Sequence, residues 1–243
     1  RTAWHGQAYS AANKATTPQE DDAEAAKATR DEQRAEVREG LRGLEEGETE
    51  ITALYKQTRQ WCLDEFADVY RWLDVQFEHD FFESELEEPA QKVVDEYLEK
   101  GVFEESQGAI ICDLEEEGLG AALVRKTDGV SLYLTWDLYL AQVTFQQHDV
   151  QRSLYVVGAE QSHHFRQLFA TLKRMGYARA DDCRHVPYEL VMLPEGKMSS
   201  RKGNVVYFEE LKRSITSAIE SKMRGGDVED GENGDVAGGG SVD

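Results

Sequence analysis

The sequence predicts an α/β chain in which a mostly parallel, doubly wound sheet follows an N-terminal helical region. Two observations carry this. Apolar residues recur at helical spacing from Ile51 to Leu98, and beyond Gly101 short β-rich runs alternate with helical patterns. A length of 243 residues suffices to bury a core without disulfide support. The expected division is a helical region over 1–100, an alternating region over 101–224 and a disordered acidic, glycine-rich tail over 225–243.

Each element has a local reason. Thr17 to Glu50 is rich in Ala, Glu, Asp, Lys and Arg, which suits a surface helix or helical hairpin. Ile51, Leu54, Tyr55, Thr58, Cys62, Phe66, Val69, Tyr70 and Leu73 then recur at three- and four-residue steps, the stripe of one amphipathic helix. Pro89 fits the first turn of a further helix whose buried side is Val93, Val94, Tyr97 and Leu98 and whose stop is Gly101. Ala109 to Cys112, Val130 to Leu134 and Leu154 to Ala159 read as strands, with helices over Leu138–Gln147 and Ser162–Met175. In the second of these helices Ser162 is the expected N-cap and Gly176 the stop. A last strand over His185–Met192 leads through a polar loop to a helix over Phe208–Met223. The final 19 residues hold seven Gly and six acidic residues with almost nothing to bury, so they cannot offset their own ordering entropy.

Composition narrows the function. Lys and Arg number 27 against 48 Asp and Glu, a formal net charge of -21 that opposes nonspecific adhesion to a polyanion. The balance is uneven: Phe81 to Gly120 holds 13 acidic and 2 basic residues, whereas Glu160 to Arg213 holds 7 and 10. Only the later segment suits phosphate. No apolar run approaches the roughly 20 residues needed to cross a bilayer, and no secretion signal is evident, so the chain reads as soluble and cytoplasmic. Cys62, Cys112 and Cys183 are odd in number and far apart, which fits a reducing compartment and neither a disulfide framework nor a zinc ribbon. Arg1 is not a methionine, which points to a processed chain, an excised domain or an incomplete gene.

In an open parallel sheet ligands bind beyond the carboxyl ends of the strands, and three turns there are chemically rich. The first ends in Tyr133-Leu134-Thr135-Trp136-Asp137, where Asp137 is either a helix cap or a ligand-binding carboxylate. The second, Gly158-Ala159-Glu160-Gln161-Ser162-His163-His164, joins a glycine that admits a close ligand to more polar groups than a cap requires. Its adjacent histidines do not converge as zinc ligands do, and no protein metal site is expected. The third, Glu195 to Asn204, gathers Lys197, Arg201 and Lys202 with Ser199, Ser200 and two glycines, a set suited to polyphosphate or to a plain basic surface loop.

Lys197-Met198-Ser199-Ser200-Arg201-Lys202-Gly203-Asn204 resembles the K-M-S-K-S signature of class I aminoacyl-tRNA synthetases. Together with Leu132 to Asp137, Tyr155 to Phe165 and His185-Val186-Pro187-Tyr188, it is similar to the second half of the catalytic domain of arginyl-tRNA synthetases. Leu73 to Phe77 and Glu83-Ser84 add to the likeness, which spans roughly Ala11 to Ser221. The resemblance implies a Rossmann-like core and an arginine-tRNA ligase that converts arginine and ATP to arginyl adenylate, then charges tRNA(Arg), with Mg2+ accompanying ATP. It implies that Tyr133, Asp137 and Gln161 line the arginine pocket. Gly158, Glu160 and His164 lie where related enzymes approach the nucleotide, together with the loop from Lys197 through Met198, Ser199, Ser200 and Arg201 to Lys202. Lys197 and Lys202 would neutralise the departing pyrophosphate. Ser200 departs from the pattern, standing where the fuller signature has its second lysine.

Residues 1–243 contain no H-I-G-H-type element and no helical anticodon-binding domain after the loop. The expectation is therefore a fragment, inactive alone, associating with a complementary segment. The alternative is a non-catalytic arginine-binding or regulatory relative.

Overall fold

The computed structural model describes residues 2–17, 24–127, 131–194, 196–199 and 205–224. Its helices are α1 (Thr2–Thr16), α2 (Glu24–Glu45), α3 (Thr49–Trp72), α4 (Glu83–Glu99), α5 (Tyr133–Gln147), α6 (Ser162–Arg174) and α7 (Phe208–Met223). Its strands are β1 (Glu104–Ser106), β2 (Ala109–Leu114), β3 (Gly120–Arg125), β4 (Ser153–Gly158), β5 (Cys183–Tyr188), β6 (Met192–Leu193) and β7 (Gly196–Lys197). The chain divides into two units, one of residues 1–75 and 192–243, the other of residues 76–191. The expected tail over 225–243 lies outside the described residues.

The first unit holds α1, α2, α3, α7 and the β6–β7 hairpin. Aromatic groups join α1 to α3 and α3 to α7: His5 stacks on Trp61, and Trp72 meets Phe208 edge-on beneath the Lys212 ammonium. Arg30 Nη1 reaches back to the Lys14 and Ala15 carbonyls, satisfying the open end of α1. The stripe expected on α3 does form a helix, yet no α3 residue is fully buried; Leu54, Tyr55 and Phe66 stay exposed.

The second unit carries the core. Val94 of α4, Cys112 and Leu114 of β2, Val124 of β3, Leu138 of α5, and Leu168 and Leu172 of α6 are inaccessible to solvent or nearly so. An antiparallel meander β1-β2-β3, of which only β2 was expected, packs with α5 and α6. Beside it β4 and β5 pair in parallel, joined by α6 as a β-α-β crossover. That pair is the part of the expected parallel sheet present among the described residues. Its two faces differ sharply, since Tyr155, Val157 and Cys183 face the core whereas Leu154, Val156, Val186 and Tyr188 are exposed.

Several boundaries depart from the sequence reading. Val130 to Leu134 is not a strand: Tyr133 opens α5, Ser131 makes only a single bridge to Arg125, and Val130 lies outside the described residues. Apolar residues at 130, 132 and 134 alternate as in a strand, but Leu134, Leu138 and Ala141 also recur at helical spacing, and burial of that stripe decides the outcome. Thr135, which a strand would turn to the face opposite Leu134, is fully buried beside it. Helix α4 begins at Glu83, six residues before Pro89. Burial of Leu86 and Ala90 on either side offsets the N–H that Pro89 cannot offer Glu85. Ser162 is not a cap acceptor; its hydroxyl donates to the Ala159 carbonyl at 2.6 Å. The strand expected over His185–Met192 ends at Tyr188, and Met192–Leu193 instead turns back on Gly196–Lys197. The glycine stops hold: Gly101 and Gly176 take left-handed φ values of 69° and 72° where α4 and α6 end.

This distribution predicts unequal responses to truncation. Leu138→Ala should lower the unfolding free energy by roughly 3 kcal/mol, whereas Leu54→Ala should cost under about 1 kcal/mol. Urea denaturation followed by circular dichroism checks the contrast.

Candidate functional site

The first turn of α5 is fixed from beneath. The Thr135 hydroxyl donates to the Val124 carbonyl at the end of β3 and accepts the Leu132 N–H at 3.2 Å. Leu132, not Asp137, is the N-cap position, and Asp137 is the fifth residue of α5. The capping role considered for Asp137 is thereby excluded, because capping acts within the first turn.

The Asp137 carboxylate faces α6. His164, the third residue of that helix, lies with Nε2 at 2.7 Å from Asp137 Oδ2, and each side chain retains 25% of its accessibility. The pair is sheltered yet reachable. Phe165 backs it, packed on Tyr155, Phe169 and the His185 ring. His185 Nε2 is fixed by the Val157 carbonyl at 2.9 Å. Burial drives the Tyr155 phenol far above its ordinary range, and the neighbouring Cys183 and Asp137 add to this. Tyr155 is therefore a neutral wall of the site at physiological pH.

The other expected residues of the same unit lie on α5, at the end of β4 and in the turn before α6. Tyr133 is 69% exposed, its ring edge-on to Trp136 at 5.6 Å. Gly158 ends β4 in a buried position, and the Glu160 carboxylate folds back over it, leaving no room for a side chain at 158 unless Glu160 moves. Gln161 and Glu160 are exposed in a short 3-10 turn between β4 and α6. No hydrogen bond among the described residues joins Tyr133 or Gln161 to Asp137. In the other unit, Lys197 lies on β7 opposite Met192, followed by the half-buried Met198 and Ser199. Ser200, Arg201 and Lys202 lie outside the described residues. No cluster of three or more His, Cys, Asp or Glu suited to a metal occurs among the described residues.

The comparisons with known proteins bear on this arrangement. The family described as class I tRNA synthetases (R), catalytic domain, matches residues 12–227. The chain belongs to that family. It is 40% identical over 223 residues to the arginine–tRNA ligase of Bdellovibrio bacteriovorus, covering 90% of this chain and 37% of that protein. With the arginine–tRNA ligase of Ligilactobacillus salivarius it shares 43% identity over 176 residues, 72% of this chain and 31% of the relative. The chain thus spans about a third of the length of the curated relatives it matches. The Thermus thermophilus arginyl-tRNA synthetase structure aligns with a TM-score of 0.63 at 17% identity, over 94% of this chain and 46% of that one. The Plasmodium falciparum enzyme aligns at 0.60 and 18%, over 92% and 40%. At such identities these structures show a shared fold, the α/β class I synthetase catalytic domain.

One residue beside the site escaped the sequence reading of this class I synthetase domain. Glu87 of α4 accepts from the Ser131 hydroxyl at 2.6 Å and from the Trp136 indole N–H at 2.5 Å. The signal lay in Glu87, Gln91 and Asp95, a polar ridge at four-residue spacing beside the buried Val93 and Val94, but its partners are distant in sequence. Burial raises the Glu87 pKa, yet the bonds from Ser131, Trp136 and Gln91 outweigh it and hold the carboxyl below 4.5. A depressed carboxylate contributes stability above its unfolded pKa and loses it as pH falls through the lower folded value. Glu87→Gln should therefore flatten the acid limb of the stability–pH profile below about pH 4.5, measured by thermal melts across pH.

Proposed function

We propose that this chain is part of the catalytic domain of an arginine–tRNA ligase, which joins arginine to ATP as arginyl adenylate, releases pyrophosphate and passes arginine to the terminal ribose of tRNA(Arg) in the cytoplasm. The observation that carries the reading is the Asp137–His164 pair, a carboxylate freed from capping duty and already meeting a flat nitrogen donor at 2.7 Å. A guanidinium is a planar fork of five donors, which a carboxylate grips through two parallel hydrogen bonds. An ionised carboxylate has about four lone-pair sites, so Asp137 can offer both oxygens to the guanidinium while His164 keeps its bond to Oδ2. The imidazole lies toward the nucleotide, with Gly158 and Glu160, and orients the Asp137 carboxylate.

Tyr133 packs against the substrate side chain and Gln161 offers an acceptor and a donor. Lysine could not reproduce the paired contact, which leaves groups unsatisfied and discriminates against it. Lys197 and Lys202, aided by Met198, Ser199, Ser200 and Arg201, neutralise charge on the pyrophosphate as it departs, where stabilisation raises rate. Mg2+ enters with ATP, and no metal ligand of the chain is assigned.

The exposed outer side chains of β4 and β5 support association with a complementary segment, since parallel strands ordinarily have both faces covered. Residues 1–243 alone should bind arginine weakly and support no appreciable arginine-dependent ATP–pyrophosphate exchange; robust exchange would refute that part of the reading. Asp137→Ala should weaken arginine binding roughly 30-fold or more with little change in melting temperature. Retained binding with a large loss of stability would show that Asp137 serves the fold instead.

A further inference from the structure

We infer that Glu87 is a positioning residue for arginine recognition, setting the orientation of Trp136 and, through it, of the Tyr133 ring. This deepens the proposed function and rests on its assignment of Asp137 and Tyr133 to the arginine pocket.

Three of the first five residues of α5 bear on that pocket: Tyr133, Trp136 and Asp137. Asp137 is held by His164, and the helix start is held by Thr135. The indole has a different anchor. Its N–H donates to Glu87 Oε2, on a separate helix 49 residues earlier, and its ring supports Tyr133 edge-on at 5.6 Å. Tyr133 is mostly solvent-exposed, so this edge contact is what limits its ring on that side. A bond from indole to an ionised carboxylate is about twice as strong as a neutral one and directional.

Glu87 is itself locked. Its other oxygen accepts from Ser131, two residues before α5, and Gln91 donates to both Ser131 and Glu87. Ser131 is buried, so the lock lies inside the joint between α4 and the start of α5, not on open surface. The two oxygens of one carboxylate thus tie the backbone entering α5 and the ring platform upon it. An apolar side chain at 87 would leave the indole free to change rotamer without unseating α5, because Thr135 holds the helix independently.

The test is arginine affinity of the full 243-residue chain by calorimetry, with folding followed by circular dichroism. Glu87→Ala should weaken arginine roughly tenfold, and Trp136→Phe, which keeps a ring and removes the N–H, should do the same. The double variant should be no weaker than either single one. Glu87→Gln, which still offers an oxygen to the indole, should recover most of the affinity, and Glu88→Ala, on the exposed side of α4, should match the parent. Unchanged affinity in Glu87→Ala, multiplying losses in the double variant, or Glu87→Gln as weak as Glu87→Ala would each overturn the inference. If Glu87→Ala does not fold, unchanged affinity in Trp136→Phe overturns it and a tenfold loss upholds it. Arginine binding lost in Asp137→Asn but intact in Glu87→Ala defeats this inference alone. No difference between the parent and Asp137→Asn defeats the underlying reading, and this inference with it.

Discussion

One buried hydroxyl governs where the chemistry can sit. Thr135 is wholly enclosed, and its hydroxyl both donates to the Val124 carbonyl near the end of β3 and accepts the backbone N–H of Leu132, which precedes α5. Burying a hydroxyl without partners costs roughly 1–3 kcal/mol, so the double engagement fixes the rotation of α5 as well as its position. That rotation decides that Leu134, Leu138 and Ala141 face the core while Tyr133 faces outward, Trp136 meets Glu87 of α4 and Asp137 faces α6. A helix turned by one residue would bury the carboxylate and expose Leu138.

On the other side of the site, Phe165 plays the corresponding part. It is buried, continuous in sequence with His164, and packed among Tyr155, Phe169 and His185. The imidazole that meets Asp137 is therefore presented by a rigid aromatic base instead of a mobile loop. Both partners of the pair stand on helices whose inner faces belong to one core, which preserves their spacing whether or not a ligand lies between them.

Much of this was readable from residues alone. The helix over Phe208–Met223 and the strand–helix unit ending at Gly176 follow from periodicity and glycine stops, and motif order singled out Asp137 and the Gly158–His164 turn without foretelling that Asp137 meets His164. What escaped had a common cause. Leu134 fitted both a strand alternation and the helical stripe of Leu138 and Ala141, and burial chose the helix that opens at Tyr133. Pro89 suggested a start that Leu86 and Ala90 override by packing. The α3 stripe correctly announced a helix, but periodicity cannot say whether a partner covers it. Glu87 and Trp136 lie 49 positions apart, and neither residue alone carries any sign of the other.

The outward face of the β4–β5 ribbon has a colloidal consequence. Leu154, Val156, Val186 and Tyr188 form an adhesive strip on a protein whose formal charge is -21. Mutual repulsion keeps such strips apart in dilute buffer, but its range shrinks from about 30 Å at 10 mM ionic strength to about 8 Å near 150 mM. Salt thus acts on this chain as a dispersant withdrawn: the more counterions surround it, the more freely its bare strands can find one another and clump.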